Sequence, residues 1–186
     1  LEVLSKIQPF LELSERLGSF MGQICKSGVE HITVEYSGLI TESNVAPLTI
    51  SVLKGYLSPI MSAPVTFVNA PLIAEERGIK LTETKLSSSS DFSSLIRVIV
   101  KTDNTEFSIS GSTFGKKESR FTRFNNHSLD IIPEGNILMI ENDDKPGVIG
   151  LLGNALGKKE ININRLYLSN QLDNNTGFAL AFISVD

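Results

Sequence analysis

Four short runs, LIRVIVK, EFSISGSTF, SRFTRF and HSLDII, follow one another between Leu95 and Ile132 with only turns between them. Each is rich in β-branched or aromatic residues, and the connections carry a Gly-Lys-Lys turn and the tight pair Asn125-Asn126. Such a series predicts an antiparallel sheet, and the rest of the first two-thirds of the chain must pack on it. Upstream, HITVEYSG alternates Ile32, Val34 and Tyr36 with more polar neighbours and predicts a half-buried strand ended by Gly38.

The partners for that sheet are helical. Phe10, Leu13, Leu17, Phe20, Met21 and Ile24 recur at three- and four-residue intervals, predicting an amphipathic helix over roughly Ser5 to Lys26 with Pro9 in its opening turn. A second helix is expected from Ser43 or Asn44, with Pro47 in the first turn and Val45, Leu48, Val52, Tyr56 and Ile60 on the buried side. NAPLIAEERG reads as a short third helix, capped by Asn69 and stopped by Gly78. The charge-free stretch from Gly55 to Ala74 is interrupted by Pro59, Pro64 and Pro71, so it reads as a buried helix-loop-helix rather than a membrane span.

Composition excludes several classes of function. With 41% hydrophobic and 20% charged residues the chain is a globular protein rather than a disordered one. Seventeen basic against 21 acidic residues, a net charge of -4, argue against a dedicated nucleic-acid or anionic-membrane surface. A single cysteine, Cys25, excludes an intrachain disulfide and fits a reducing, cytoplasmic compartment. No secretory signal is visible, and Leu1 in place of methionine points to a fragment of something longer.

Pro133-Glu134-Gly135 separates two patterns and marks a domain boundary. Beyond it NILMIE, a helix over about Gly147 to Lys158, ININRLYL and GFALAFIS give the order strand, helix, strand, strand. That is three-quarters of a split βαβ sandwich, ending where a second helix and a fourth strand are expected. The fold class predicted is α+β.

The stretch NDDKPGVIGLLGNALGKKEIN carries the densest signal. Its glycines at 147, 150, 153 and 157 match neither GxGxxG nor a P-loop, which argues against nucleotide binding. Gly150, Gly153 and Gly157 fall on one stripe of the helix, so a close approach of the sheet or of a partner chain is expected there. The helix start offers unpaired amides and a positive dipole end to a carboxylate. Asp144 can meet an ammonium group, and the amide of Asn162 can give and accept hydrogen bonds. Together they suit an amino acid; the competing reading is that Asp144 caps the helix and Asn162 begins a turn.

DDKPGVIGLLGNALGKKEININ resembles an ACT domain, the small-molecule sensor of amino-acid metabolism. HITVEYSGLI, VTFVNAPLIAEERGI and GSTFGKKESRFTRFNNHSLDIIPEGNILMI resemble the intervening, allosteric substrate-binding domain of long-form D-3-phosphoglycerate dehydrogenase, and LSERLGSFMGQI resembles the segment that follows that family's catalytic domains. The resemblance implies a linking helix at 1–26, an intervening domain at 27–134, and at 135–186 a truncated ferredoxin-like βαββ ACT domain lacking its last helix and strand. It implies a regulatory module that binds L-serine or a related amino acid and forms homo-oligomers, with no cofactor of its own. In the parent enzyme it implies NAD-dependent oxidation of 3-phosphoglycerate, the first step of serine synthesis. The family's serine-sensing positions fall on Asn142, Asp144 and Asn162, beside the amides of Gly147 and Val148, although an aromatic or imidazole side chain is common where Asn142 stands.

Lys116, Lys117, Arg120, Arg123 and His127 concentrate positive charge that suits a phosphate or carboxylate. With Asn125-Asn126 as a two-residue turn, Arg120 and His127 share one face about 13 Å apart and Arg123 points away. The resemblance implies an anion site at Arg120 and His127; the competing reading is a solvated hairpin edge. Cys25 and His31 are a nucleophile and a base without an orienting third group, and no metal-ligand spacing is present. Two alternatives stay open: the regulatory portion of a serine dehydratase, and a free-standing hydrolase using Cys25 and His31 or the Asp143-Asp144 loop.

Overall fold

The computed structural model describes residues 2–87, 91–115, 118–143, 145–170 and 178–186. The chain divides into two compact units, Leu1–Phe121 and Thr122–Asp186, and the division falls inside a strand. The class is α+β, as the patterns predict.

In the first unit, helix α1 (Glu2–Ile24) precedes strand β1 (Val29–Gly38), a 3-10 turn (Leu39–Glu42), helices α2 (Ala46–Leu57) and α3 (Ala70–Glu76), and strands β2 (Lys80–Leu86), β3 (Ser94–Thr102) and β4 (Glu106–Phe114). Strand β5 (Glu118–Phe124) crosses the division and β6 (His127–Ile131) belongs to the second unit. The sheet order is β2-β1-β3-β4-β5-β6. Register sets Ile32 opposite Val100, Val34 opposite Val98 and Tyr36 opposite Ile96, so these side chains share one face, and all six are fully buried. Leu13, Leu17 and Met21 of α1 and Leu48, Val52, Leu53 and Leu57 of α2 are buried to the same degree. Gly111 lets α1 settle on β4, since a Cβ there would lie 2.8 Å from a methyl of Leu13.

Three details differ from the sequence reading. The sheet is not wholly antiparallel, because β2 pairs parallel to β1 with His31 opposite Lys80 and Ser37 opposite Leu86. KLTETKL has neither apolar alternation nor a buried face to announce it, being an edge strand reached through the α2–α3 crossover. Helix α1 starts at Glu2, which puts Pro9 inside it rather than in its first turn; Ile7 and Phe10, buried on either side, hold the turn whose backbone hydrogen bond proline cannot make. Helix α2 has Val45 as its N-cap without a side-chain bond, while Asn44 Oδ1 accepts from the Ala46 amide at 3.2 Å, and Ile60 lies beyond the helix end.

Helices α1 and α2 touch backbone to backbone. A Cβ on Gly18 would stand 2.0 Å from the Val52 carbonyl oxygen, one on Gly22 2.1 Å from that of Tyr56, and one on Gly55 2.0 Å from that of Glu15. Around this contact Ser51 Oγ donates to the Leu11 carbonyl at 2.8 Å, Tyr56 Oη donates to the Cys25 carbonyl at 2.8 Å, and Lys54 Nζ meets Glu15 Oε1 at 2.6 Å.

In the second unit, β7 (Asn136–Asp143), α4 (Val148–Gly157), β8 (Ile163–Asn170) and β9 (Phe178–Val185) follow the predicted strand, helix, strand, strand order, with β9 central and antiparallel to both neighbours. Ala179 to Ile183 and Val185 of β9 are buried, whereas α4 buries no residue and Leu151 is 71% exposed. Among the described residues nothing lies within 4 Å of a Cβ built on Gly150, Gly153 or Gly157, so none of the described strands makes the close approach expected at that stripe.

Gly18→Ala and Gly55→Ala are expected to lower unfolding free energy by about 1–3 kcal/mol through overpacking. Gly153→Ala, in open space on α4, is expected to raise it by up to about 1 kcal/mol through helix propensity. Urea denaturation of the three variants checks both signs.

Candidate functional site

The loop between β7 and α4 is shaped by Gly147. Its φ of +95° lies in the left-handed region that side chains disfavour, and this residue is the N-cap of α4. The Leu151 amide donates to the Gly147 carbonyl at 3.0 Å, starting the helix, and the Val148 amide donates to the Lys145 carbonyl at 3.5 Å. The first-turn amides thus have the polarity that receives a carboxylate. Asn142, near the end of β7, is half-buried and stands opposite Ala179. Asp144, the residue expected to meet an ammonium group, lies outside the described residues.

Asn162 is exposed and precedes β8. Its amide nitrogen donates to Asp186 Oδ1 at 2.7 Å and its Nδ2 to Asn164 Oδ1 at 3.0 Å. Ile163, the next residue, stands opposite Val185, at the far end of β9 from Ala179. Six residues of extended strand between those two registers amount to about 20 Å. Asn142 and the Gly147–Val148 amides therefore stand at one end of this sheet and Asn162 at the other, so one chain does not gather them around one small ligand.

The basic residues are dispersed. Arg120, in the first unit, donates from Nε to Glu118 Oε1 at 2.9 Å, and its Nη2 bonds the same oxygen. Its guanidinium carbon stands 5.5 Å from the Phe114 ring centroid, so the cation is held against its own sheet. His127, in the second unit, is only 6% exposed. Arg123 is exposed, and Lys116 and Lys117 lie outside the described residues.

His31 Nε2 is 2.7 Å from Thr82 Oγ1 across the β1–β2 pair, a strand-to-strand tie. Cys25 is 5% exposed, and burial pushes its thiol up to about 11, so at neutral pH it is a protonated and poor nucleophile. Among the described residues no group of three or more His, Cys, Asp or Glu side chains is placed to hold a metal ion. The described helices include none long and apolar enough to cross a membrane. A hollow of about 370 Å³, which the sequence did not announce, lies between the end of α1 and the β3–β4 turn. Its wall hydroxyls on Thr102 and Thr105 already bond each other at 2.8 Å.

The family model of the D-3-phosphoglycerate dehydrogenase intervening domain matches residues 6–125. The D-3-phosphoglycerate dehydrogenase of Archaeoglobus fulgidus is 31% identical over 180 residues, which are 97% of this chain and 34% of that protein. The Synechocystis enzyme of the same name is 31% identical over 186 residues, 100% of this chain and 33% of the relative. That of Bacillus subtilis is 30% identical over 182 residues, 98% and 34% of the two chains. The chain thus spans about a third of the length of these curated relatives.

The Cys25 thiol is expected to react with iodoacetamide at pH 8 far more slowly in the folded chain than in urea. Its folded value of about 11 lies above the ordinary 9.0, so burial of the neutral thiol contributes stability that is full below pH 9 and lost as pH rises through 11. Denaturation of Cys25→Ala beside wild type between pH 8 and 11 checks the sign: the difference between them should shrink as pH rises.

Proposed function

The chain belongs to the family of the D-3-phosphoglycerate dehydrogenase intervening domain, and we propose that it acts as a regulatory module that binds L-serine or a close analogue between two copies of itself. The observation that carries this reading is the separation of Asn142 and the Gly147–Val148 amides from Asn162 by the length of β9. In a pair of copies, the loop of one and Asn162 of the other complete the site that neither holds alone. The amides at the start of α4 take the ligand carboxylate, Asp144 its ammonium, and Asn162 of the second copy the remaining polar group.

Three features support pairing of copies through the ACT-like segment at 135–186. Gly150, Gly153 and Gly157 have open space over them. Leu151 and Leu168, 71% and 56% exposed, leave apolar surface uncovered. Strands β7 and β8 are the edges of a three-stranded sheet. The catalytic work of the longer relatives, proposed to be NAD-dependent oxidation of 3-phosphoglycerate in the cytoplasm at the start of serine synthesis, is assigned to parts other than these residues. Serine regulates such an enzyme only by favouring one arrangement of its subunits, since equal affinity for both shifts nothing. An anion, phosphate or carboxylate, is proposed as a separate ligand of His127.

Calorimetry with serine tests the shared site. Asp144→Ala and Asn162→Ala are each expected to lose about 1.5–3 kcal/mol of binding, and Asp143→Ala much less. Mixing the Asp144→Ala and Asn162→Ala chains is expected to restore about a quarter of the wild-type sites, because each mixed pair regains one intact site of two. No recovery on mixing, with both chains folded and paired, places the site within one chain and overturns the shared arrangement.

A further inference from the structure

The hollow between the end of α1 and the β3–β4 turn lies within the first unit. Its volume of about 370 Å³ falls in the range of small-molecule sites, roughly 300–1,000 Å³. Both walls are fixed by hydrogen bonds. On one, the Cys25 amide donates to the Met21 carbonyl and Tyr56 Oη to the Cys25 carbonyl, each at 2.8 Å. On the other, the Thr102 amide donates to the Thr105 carbonyl at 2.9 Å and the Thr105 amide to Thr102 Oγ1 at 3.1 Å. Walls ordered in advance spare a ligand the cost of ordering them.

The lining carries one cation and one anion. Lys26 follows the end of α1 and Asp103 stands in the turn; both are exposed, and neither enters an ion pair among the described residues. Gly28, with φ of +69°, leaves Asp103 its place, since a Cβ there would stand 3.0 Å from Asp103 Oδ1. Half-buried Ile24 and Phe107 add apolar surface to the same hollow. A ligand with a single charge attracts one of the two groups and repels the other. A zwitterion with an apolar substituent meets the cation, the anion and the apolar surface together.

We propose that this hollow binds a free α-amino acid with an apolar side chain. Lys26 Nζ donates to the ligand carboxylate, the ligand ammonium donates to the Asp103 carboxylate, and the side chain rests on Ile24 and Phe107. Both charged groups are exposed, so each contact is weak and binding lies in the millimolar range. The site shares no residue with the serine site proposed above and does not rest on it. Serine, whose hydroxymethyl group gains nothing on an apolar surface, binds here more weakly than leucine.

The test is ¹H–¹⁵N NMR titration of the whole chain with L-leucine, followed at the Ser27, Gly28 and Asn104 amides. Isopentylamine and isocaproate serve as analogues that keep the leucine side chain and one charge each. Leucine is expected to shift these amides, and each analogue to bind roughly threefold to tenfold more weakly. Lys26→Met is expected to weaken leucine by a similar factor without weakening isopentylamine, and Asp103→Asn to weaken leucine without weakening isocaproate. A merely structural role moves all three ligands together, and that result overturns the assignment. So does an analogue that binds as tightly as leucine, or leucine that leaves these amides unshifted up to its solubility. Serine binding here as tightly as leucine removes the apolar class. Leucine shifts confined to the Gly147 and Val148 amides place the ligand in the second unit and overturn this site while the serine reading stands. Should either variant fail to fold, the analogue series on wild type decides.

Discussion

The first unit depends on the absence of three side chains. Gly18 and Gly22 on α1 and Gly55 on α2 remove the Cβ atoms that would otherwise meet the facing carbonyl oxygens at 2.0 to 2.1 Å. Each glycine costs a helix about 1 kcal/mol against alanine, a penalty offset when close approach lets neighbouring side chains meet. Here the approach brings Ser51 to the Leu11 carbonyl and Tyr56 to the Cys25 carbonyl, and the two helices present their apolar residues together to β1, β3 and β4. Widening the pair would lift both from the sheet at once.

The second unit uses glycine differently. Its helix α4 carries Gly150, Gly153 and Gly157, yet among the described residues nothing approaches them and none of the helix's residues is buried. In its three-stranded sheet the buried apolar side chains lie on β9, while the flanking strands expose Leu138, Met139 and Leu168. Asn142 and Asn162 sit at opposite ends of this sheet, and the flanking strands leave apolar surface uncovered. The left-handed Gly147 turns the backbone so that α4 starts where a carboxylate can approach its amides.

Much of the fold was legible, and the gaps have physical causes. Amphipathic α1, the buried face of β1 and the hairpins of β3 to β6 follow from periodicity because each buries one face. Strand β2 does not, because an edge strand of Lys80, Thr82, Thr84 and Lys85 owes its place to β1 rather than to its own pattern. Glycine spacing pointed to α4 as the close-packed helix, whereas α1 and α2 make that contact; local sequence is silent on what lies opposite. The residue types of the candidate site were readable, but the distance between Asn142 and Asn162 was not, since it depends on β9 lying between their strands. Arg120 pairs with Glu118, two residues away on the same strand face, a partner that the clustering of basic residues does not reveal.

The strand order of the second unit also fixes a sequence of events in time. Strands β7 and β8 hydrogen-bond to β9 and not to each other, yet β9 is the last of the three to leave the ribosome. Until it does, both earlier strands are edges without a sheet, carrying Leu138, Met139, Leu166 and Leu168. The strands β1, β2 and β3, by contrast, find all their partners before synthesis passes Phe114. The β1–β3 core of the first unit can therefore be paired while the second is still adhesive chain, and the interval before β9 arrives leaves β7 and β8 most open to aggregation.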